Sequence, residues 1–276
     1  MRALTIALFL LAGCDHDEGS KQTTLEAQPA QITFDGGDYS TAAAEIAHGE
    51  RLTKVLGCRG CHGKDLQGKL WDDDPKEYGT MWASNLTRSV PAMSDAELRD
   101  LLTKGMHPRR SELWVMPSEL FQHLAEPDLA ALLAYLRTLR PAGKPSPDPT
   151  LGPRALSEIA SGEIKSTATL VTELRAVGPT DLGPQHAAAR YFTRVTCAEC
   201  HGPELKGVPK DTPDLIVVAA YSPEEFERLI TRGEAKDGRK IAELMTSVSR
   251  SRFSQMTPRE RSALYSYLKA RAEQPQ

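Results

Sequence analysis

Two pentapeptides constrain this chain more than any other feature of it: CRGCH at residues 58–62 and CAECH at residues 197–201. Each sets two thiols three residues apart, with an imidazole directly after the second. That spacing brings the three groups together on a short helical turn. The surroundings repeat as well. GERLTKVLG precedes the first motif and AARYFTRVT the second, and the motifs run on into HGKDLQG and HGPELKG. Further along, SDAELRDLLTKG (94–105) matches SPEEFERLITRG (222–233). Each has a serine cap, a glutamate three residues on and a terminal glycine, the marks of a helix with a capping box and a left-handed stop.

Each repeat closes on another helical pattern. EPDLAALLAYLRTL puts Leu129, Leu132, Leu133 and Leu136 on one face, and TPRERSALYSYLKA has Thr257 as cap, Pro258 at N1, Glu260 at N3 and Leu264 and Leu268 inward. The predicted class is therefore all-α, with two copies of one unit at 42–140 and 185–276. Residues 141–184 join them. Their start, PAGKPSPDPTLGP, reads as a stiff proline-rich linker and the remainder as an ordered strap across both units.

C-x-x-C-H is the attachment signature of haem c: two thiols bond to the porphyrin edge and the histidine ligates iron from below. On that reading Cys58, Cys61 and His62 hold one haem, and Cys197, Cys200 and His201 a second. A thioredoxin-like site is the first rival, but it needs a strand before the motif, and the flanks here are helical and glycine-rich. A zinc site is the second, and it needs a further ligand for each Cys₂His set or pairing across the units.

Four of the five cysteines are used this way, leaving Cys14. It follows MRALTIALFLLAG, one basic residue and an apolar run too short to span a bilayer as a mature helix but of signal-peptide form. LAGC resembles a bacterial lipobox. The resemblance implies a lipoprotein signal peptide at 1–13, lipid on Cys14, and a location on the periplasmic side of a bacterial membrane. Residues 14–41 are mostly polar and read as a flexible tether.

Around the motifs the chain resembles the class I cytochrome c family, and more narrowly tandem two-haem bacterial members associated with dehydrogenases or respiratory chains. MWASNLTRS is similar to the family's Asn-Leu-Thr loop, VMPSELFQHL to its methionine loop and DLAALLAYLRTL to its final helix. The resemblance implies two small helical domains, each around one haem, with first and last helices crossing. It implies single-electron transfer between redox proteins such as a dehydrogenase, a respiratory complex or a terminal oxidase.

The far side of each iron needs a ligand. Met favours a high potential and electron transfer, whereas an open position favours chemistry. Met116, stiffened by Pro117 and 54 residues beyond His62, is the candidate in the first unit. Met106 is its rival, with Met81 and Met93 expected to pack. In the second unit, counting from the histidine favours Met256, 55 residues on. Counting from the helix-ending glycines favours Met245, twelve beyond Gly233, as Met116 is eleven beyond Gly105. We expect Met245 to ligate and Met256 to pack at a helix entry, as the counterpart of Leu124. His48, His107, His123 and His186 are the bis-histidine alternatives. Trp71, Trp82, Trp114 and Phe253 are candidates for covering a haem or for core packing.

A net charge of −3 and no long basic run argue against nucleic-acid binding. The functional expectation is an electron carrier. The alternatives are a haem enzyme of peroxidase or thiosulfate-dehydrogenase type, with Glu243 or Arg250 as acid–base candidates, and an electron-transfer subunit of a larger complex.

Overall fold

Side-chain caps set where several of the longer helices begin. The computed structural model describes residues 31–239 and 241–274. In chain order its helices are α1 (Ala42–Val55), α2 (Cys58–Cys61), α3 (Leu86–Ser89), α4 (Asp95–Lys104), α5 (Ser118–Phe121), α6 (Glu126–Arg137), α7 (Pro153–Ser161), α8 (Thr167–Glu173), α9 (Ala187–Thr196), α10 (Ala198–His201), α11 (Pro223–Arg232), α12 (Glu243–Ser251) and α13 (Pro258–Ala272). Ser94, Ser222 and Thr257 close reciprocal capping boxes with Glu97, Glu225 and Glu260. Gly105 and Gly233 end α4 and α11 in the left-handed conformation, where a β-carbon would crowd the following carbonyl.

Within each repeat the first helix packs on the last. Gly49 of α1 lies against the Ala131 carbonyl of α6, leaving no room there for a β-carbon. In the second repeat α9 packs on α13, with Ala189 buried. The predicted inward residues Leu129, Leu132, Leu133, Leu136, Leu264 and Leu268 are all buried.

The molecule is mostly helical, and the all-α expectation needs one correction. Strands β1 (Lys69–Asp74), β2 (Gly79–Ala83) and β3 (Thr150–Leu151) form a small antiparallel sheet in that order. The hairpin turns at Asp74, whose carboxylate accepts from the Lys76 and Glu77 amides, an Asx turn that competes with helix. Its flanks, KLW and TMWA, are rich in residues that favour a pleated surface.

The proline-rich segment folds back on the first repeat instead of running free. Asn85 Nδ2 donates to the Ala142 and Lys144 carbonyls, and Ser146 Oγ to the Ala83 carbonyl. The strap then touches both repeats. Thr167 N–H donates to Leu113 O, and Arg194 donates to the Arg175 and Val177 carbonyls. Thr167 of α8 packs against Gly105 as Thr246 of α12 packs against Gly233. The first repeat thus takes from the strap a helix that the second carries within itself.

From Gln31 onward the chain forms one packed unit. The expected tether therefore ends before residue 41, because Phe34 is fully buried and stacks on Phe192 at 4.6 Å. Its amide donates to Asp128, and the Asp35 amide to Glu260. Asp128 and Glu260 are themselves buried. Asp128 accepts from Tyr191 OH at 2.7 Å and meets His48 Nε2 at 2.6 Å, while Glu260 binds Arg51 at 3.0 Å. Each carboxylate thus gathers donors from both repeats and from the entering segment. The signal peptide and Cys14 lie outside the described residues. Phe34→Ala leaves a cavity at this junction, and it is expected to cost about 3–5 kcal/mol in urea unfolding of the full chain.

Candidate functional site

The two CxxCH motifs fold alike. In the first, α2 begins behind Gly57, and the His62 amide returns to Cys58 O at 2.9 Å. In the second, α9 runs through Cys197 into α10, and the His201 amide returns to Cys197 O at 3.0 Å. All four thiols are free.

A shared loop follows. Leu66 and Leu205, each four residues past its histidine, adopt φ of 59° and 62°, unusual for a branched residue. Both are buried, at 1% and 0% exposure, which holds them there. The Gly68 amide donates to His62 O at 2.9 Å, and the Gly207 amide to His201 O at 2.8 Å. The chain then meets an Asx cap in each repeat. Asn85 accepts from the Thr87 amide, and Asp214 from the Ile216 amide.

The carbonyl just before each cap orients the imidazole. His62 Nδ1 donates to Ser84 O at 2.8 Å, and His201 Nδ1 donates to Pro213 O at 2.8 Å. A carbonyl only accepts, so the proton sits on Nδ1 and the lone pair on Nε2. Neither Nε2 has a hydrogen-bond partner among the described residues. Burial pushes both imidazoles below their ordinary pKa, against the opposing pull of the carbonyl, so both are neutral at pH 7. The hairpin of β1 and β2 is a ten-residue insertion between histidine and cap in the first repeat: Ser84 is 22 past His62, Pro213 12 past His201.

This donor set fits haem c. Each site offers two thiols one turn apart and a neutral imidazole whose second nitrogen is held by a backbone carbonyl, the usual orientation of a metal-binding histidine. Burial pushes Cys58 and Cys197 up to about 11 and raises Cys61 and Cys200 as well. A thioredoxin-like nucleophile needs the opposite shift. Among the described residues, no three His, Cys, Asp or Glu side chains converge to hold a metal ion by themselves, so neither motif is a ready zinc cage.

Residues 185–272 match the cytochrome c family model. This region is a cytochrome c domain, a haem c-binding fold consistent with an electron-transfer role. It contains Cys197, Cys200, His201 and Met245. No curated protein matches the chain. Among the described residues no helix is long and apolar enough to cross a membrane.

The methionines divide by surroundings. Met116 and Met245 are partly buried against the core, while Met93 and Met256 are buried at 7% and 2% exposure and Met106 is 57% exposed. Met81 lies on β2. Met256 and Leu124 each directly precede a helix N-cap, Thr257 and Ala125, so they hold the same position in the two repeats. Met116 sits on a loop whose carbonyl accepts from Thr167 Oγ1 at 3.0 Å. Met245 lies in the first turn of α12.

The other histidines have local roles. His48 is bound to Asp128, and His107 Nδ1 accepts from the Arg109 amide. His186 packs near the Tyr267 ring. Trp71 is half exposed and Phe253 buried. Arg250 donates to Arg232 O at the end of α11, and Glu243 is exposed. Sequence reasoning missed Arg252, buried beside both motifs, since nothing separates it in sequence from its exposed neighbour Arg250.

Glu119, three residues past Met116, lines a small cavity between the repeats with His123, Arg194 and Pro203. Burial lifts its carboxyl from 4.5 to about 7 and lowers His123 from 6.5 to about 4. Between 4.5 and 7 the folded chain holds more protons at Glu119 than the unfolded chain does, so this group makes stability fall as pH rises. His123 has the opposite slope between 4 and 6.5. In thermal melts across this range, Glu119→Gln is expected to leave stability rising with pH over about 4–6.5. His123→Gln is expected to leave it falling over about 4.5–7.

Proposed function

We propose that the chain is a two-haem electron carrier: Cys58, Cys61, His62 and Met116 hold one haem c, and Cys197, Cys200, His201 and Met245 the other. One observation carries the reading. The first repeat reproduces, bond for bond, the loop and histidine hydrogen bond of the region that matches cytochrome c. Haem c supplies a centre that takes up and releases one electron at a time.

The chain's own residues do the rest. His62 and His201 present Nε2 lone pairs in fixed orientation. Leu66, Leu86, Leu120 and Leu98 in one repeat, and Leu205, Leu215, Phe226 and Ile230 in the other, supply apolar surroundings that exclude water. Met116 and Met245 stand at matching places. Each follows the helix-ending glycine by a similar span, and each is preceded by an exposed apolar residue, Val115 at 49% and Leu244 at 67%. Such residues suit brief docking with a redox protein. Lipid on Cys14 would keep the domains at the periplasmic face of a membrane, raising the local concentration of partners. The donor and acceptor are one-electron redox proteins of the dehydrogenase, respiratory-complex or oxidase kind. Serving as a subunit of such a complex is the same reading with a permanent partner.

The test is haem content and near-infrared spectroscopy after expression with haem-attachment machinery. Two covalent haems per chain and two Met-to-iron charge-transfer contributions are expected. Cys58→Ala with Cys61→Ala should lose one haem and keep the other. Met245→Ala should lose one charge-transfer contribution. Met256→Ala should keep both but lower stability by about 2–5 kcal/mol. One haem in the wild type would overturn the proposal.

A further inference from the structure

We propose that Arg252 is a positioning residue shared by both CxxCH sites, a fixed positive charge held between them that raises the potential of both haems and marks where electrons cross. The proposal rests on the two-haem reading above. Arg252 caps α12 and is only 8% exposed. Its Nη1 donates to Glu199 Oε2 at 2.6 Å, and Glu199 stands between Cys197 and Cys200. Its Nε donates to Val55 O at 3.2 Å. Its Cζ lies 2.7 Å from where a β-carbon on Gly57 would stand, and Gly57 directly precedes Cys58. One guanidinium therefore touches the spacer of one motif and the entry of the other. Gly57 serves two needs: its φ of +83° begins α2, and its missing side chain admits the arginine.

The remaining nitrogen, Nη2, is buried with no hydrogen-bond partner among the described residues. An orphaned donor on a buried charge is rare and needs a reason. A field acting on two neighbouring redox centres is such a reason, because a charge shielded from water interacts strongly over short range. Adding an electron makes an iron site less positive, so a nearby cation favours the reduced state. Glu199 offsets this in part.

The electron count closes. A donor protein loses one electron as one site is reduced. Haems held by Cys58, Cys61 and His62 and by Cys197, Cys200 and His201 would each take up and release that one electron, and an acceptor protein would then take it.

The experiment is a spectroelectrochemical titration of the full holoprotein, with haem per chain counted first. Arg252→Gln should shift both midpoints to more negative values, whereas Arg252→Lys should leave them near wild type. Glu199→Gln should shift both to more positive values, and it keeps the test alive where Arg252→Gln fails to fold. Arg99→Gln removes the same charge from the exposed pair with Glu126 and should move neither. Two haems with midpoints unmoved by Arg252→Gln or Glu199→Gln, or with only one moved, would overturn the proposal and leave the two-haem reading standing. A single haem per chain overturns both.

Discussion

The hydrogen bond from a histidine Nδ1 to a backbone carbonyl organises each repeat. For that bond to form, the chain after CxxCH must turn back on itself within a few residues. Gly63 and Gly202 start the turn, a buried leucine in the left-handed region continues it, and an Asx cap ends it beside the accepting carbonyl. Burial of that leucine offsets the backbone strain. The outcome is a neutral imidazole with one nitrogen tied to the protein and the other free. The ten-residue hairpin in the first repeat leaves this bond unchanged because it is inserted between its two ends, where it can bulge outward as a sheet.

The repeats are joined by buried polar groups as well as by apolar packing. Asp128 and Glu260 are carboxylates withdrawn from water, which is costly unless they are fully paired. Each is satisfied by donors from different parts of the chain: His48, Tyr191 and the Phe34 amide for one, Arg51, the Thr257 amide and the Asp35 amide for the other. This requirement favours one arrangement of the repeats, since sliding one past the other would strand a buried charge. It also explains why residues 34–41 are part of the fold. The Phe34 ring and the Phe34 and Asp35 amides complete the junction.

Much of this was legible in the sequence because it depends on short-range rules. The capping boxes at Ser94, Ser222 and Thr257, the glycine stops, and the inward leucines of α6 and α13 all follow from spacing within one or two turns. The equivalence of Met256 and Leu124 at a helix entry rests on their place in the repeat, and both precede an N-cap. The small sheet was missed although KLWDDDPKEYGTMWA carries a turn signal, because the helical repeat on either side dominated the reading. The helix around Met245 was not legible because the serines and arginines after it do not form an apolar stripe; α12 is held by its packing on the end of α11.

The sequence by itself determined the two CxxCH motifs, their repeated helical frames and the amino-acid types available in them, because those are set by covalent order and helical period. The tertiary structure alone decided which nitrogen of each histidine is free, that Phe34 belongs to the core, and that Arg252 lies between motifs 139 residues apart in the chain. These depend on which distant segments exclude water together. The value of a buried charge or hydrogen bond is set by that shared exclusion and not by any local pattern.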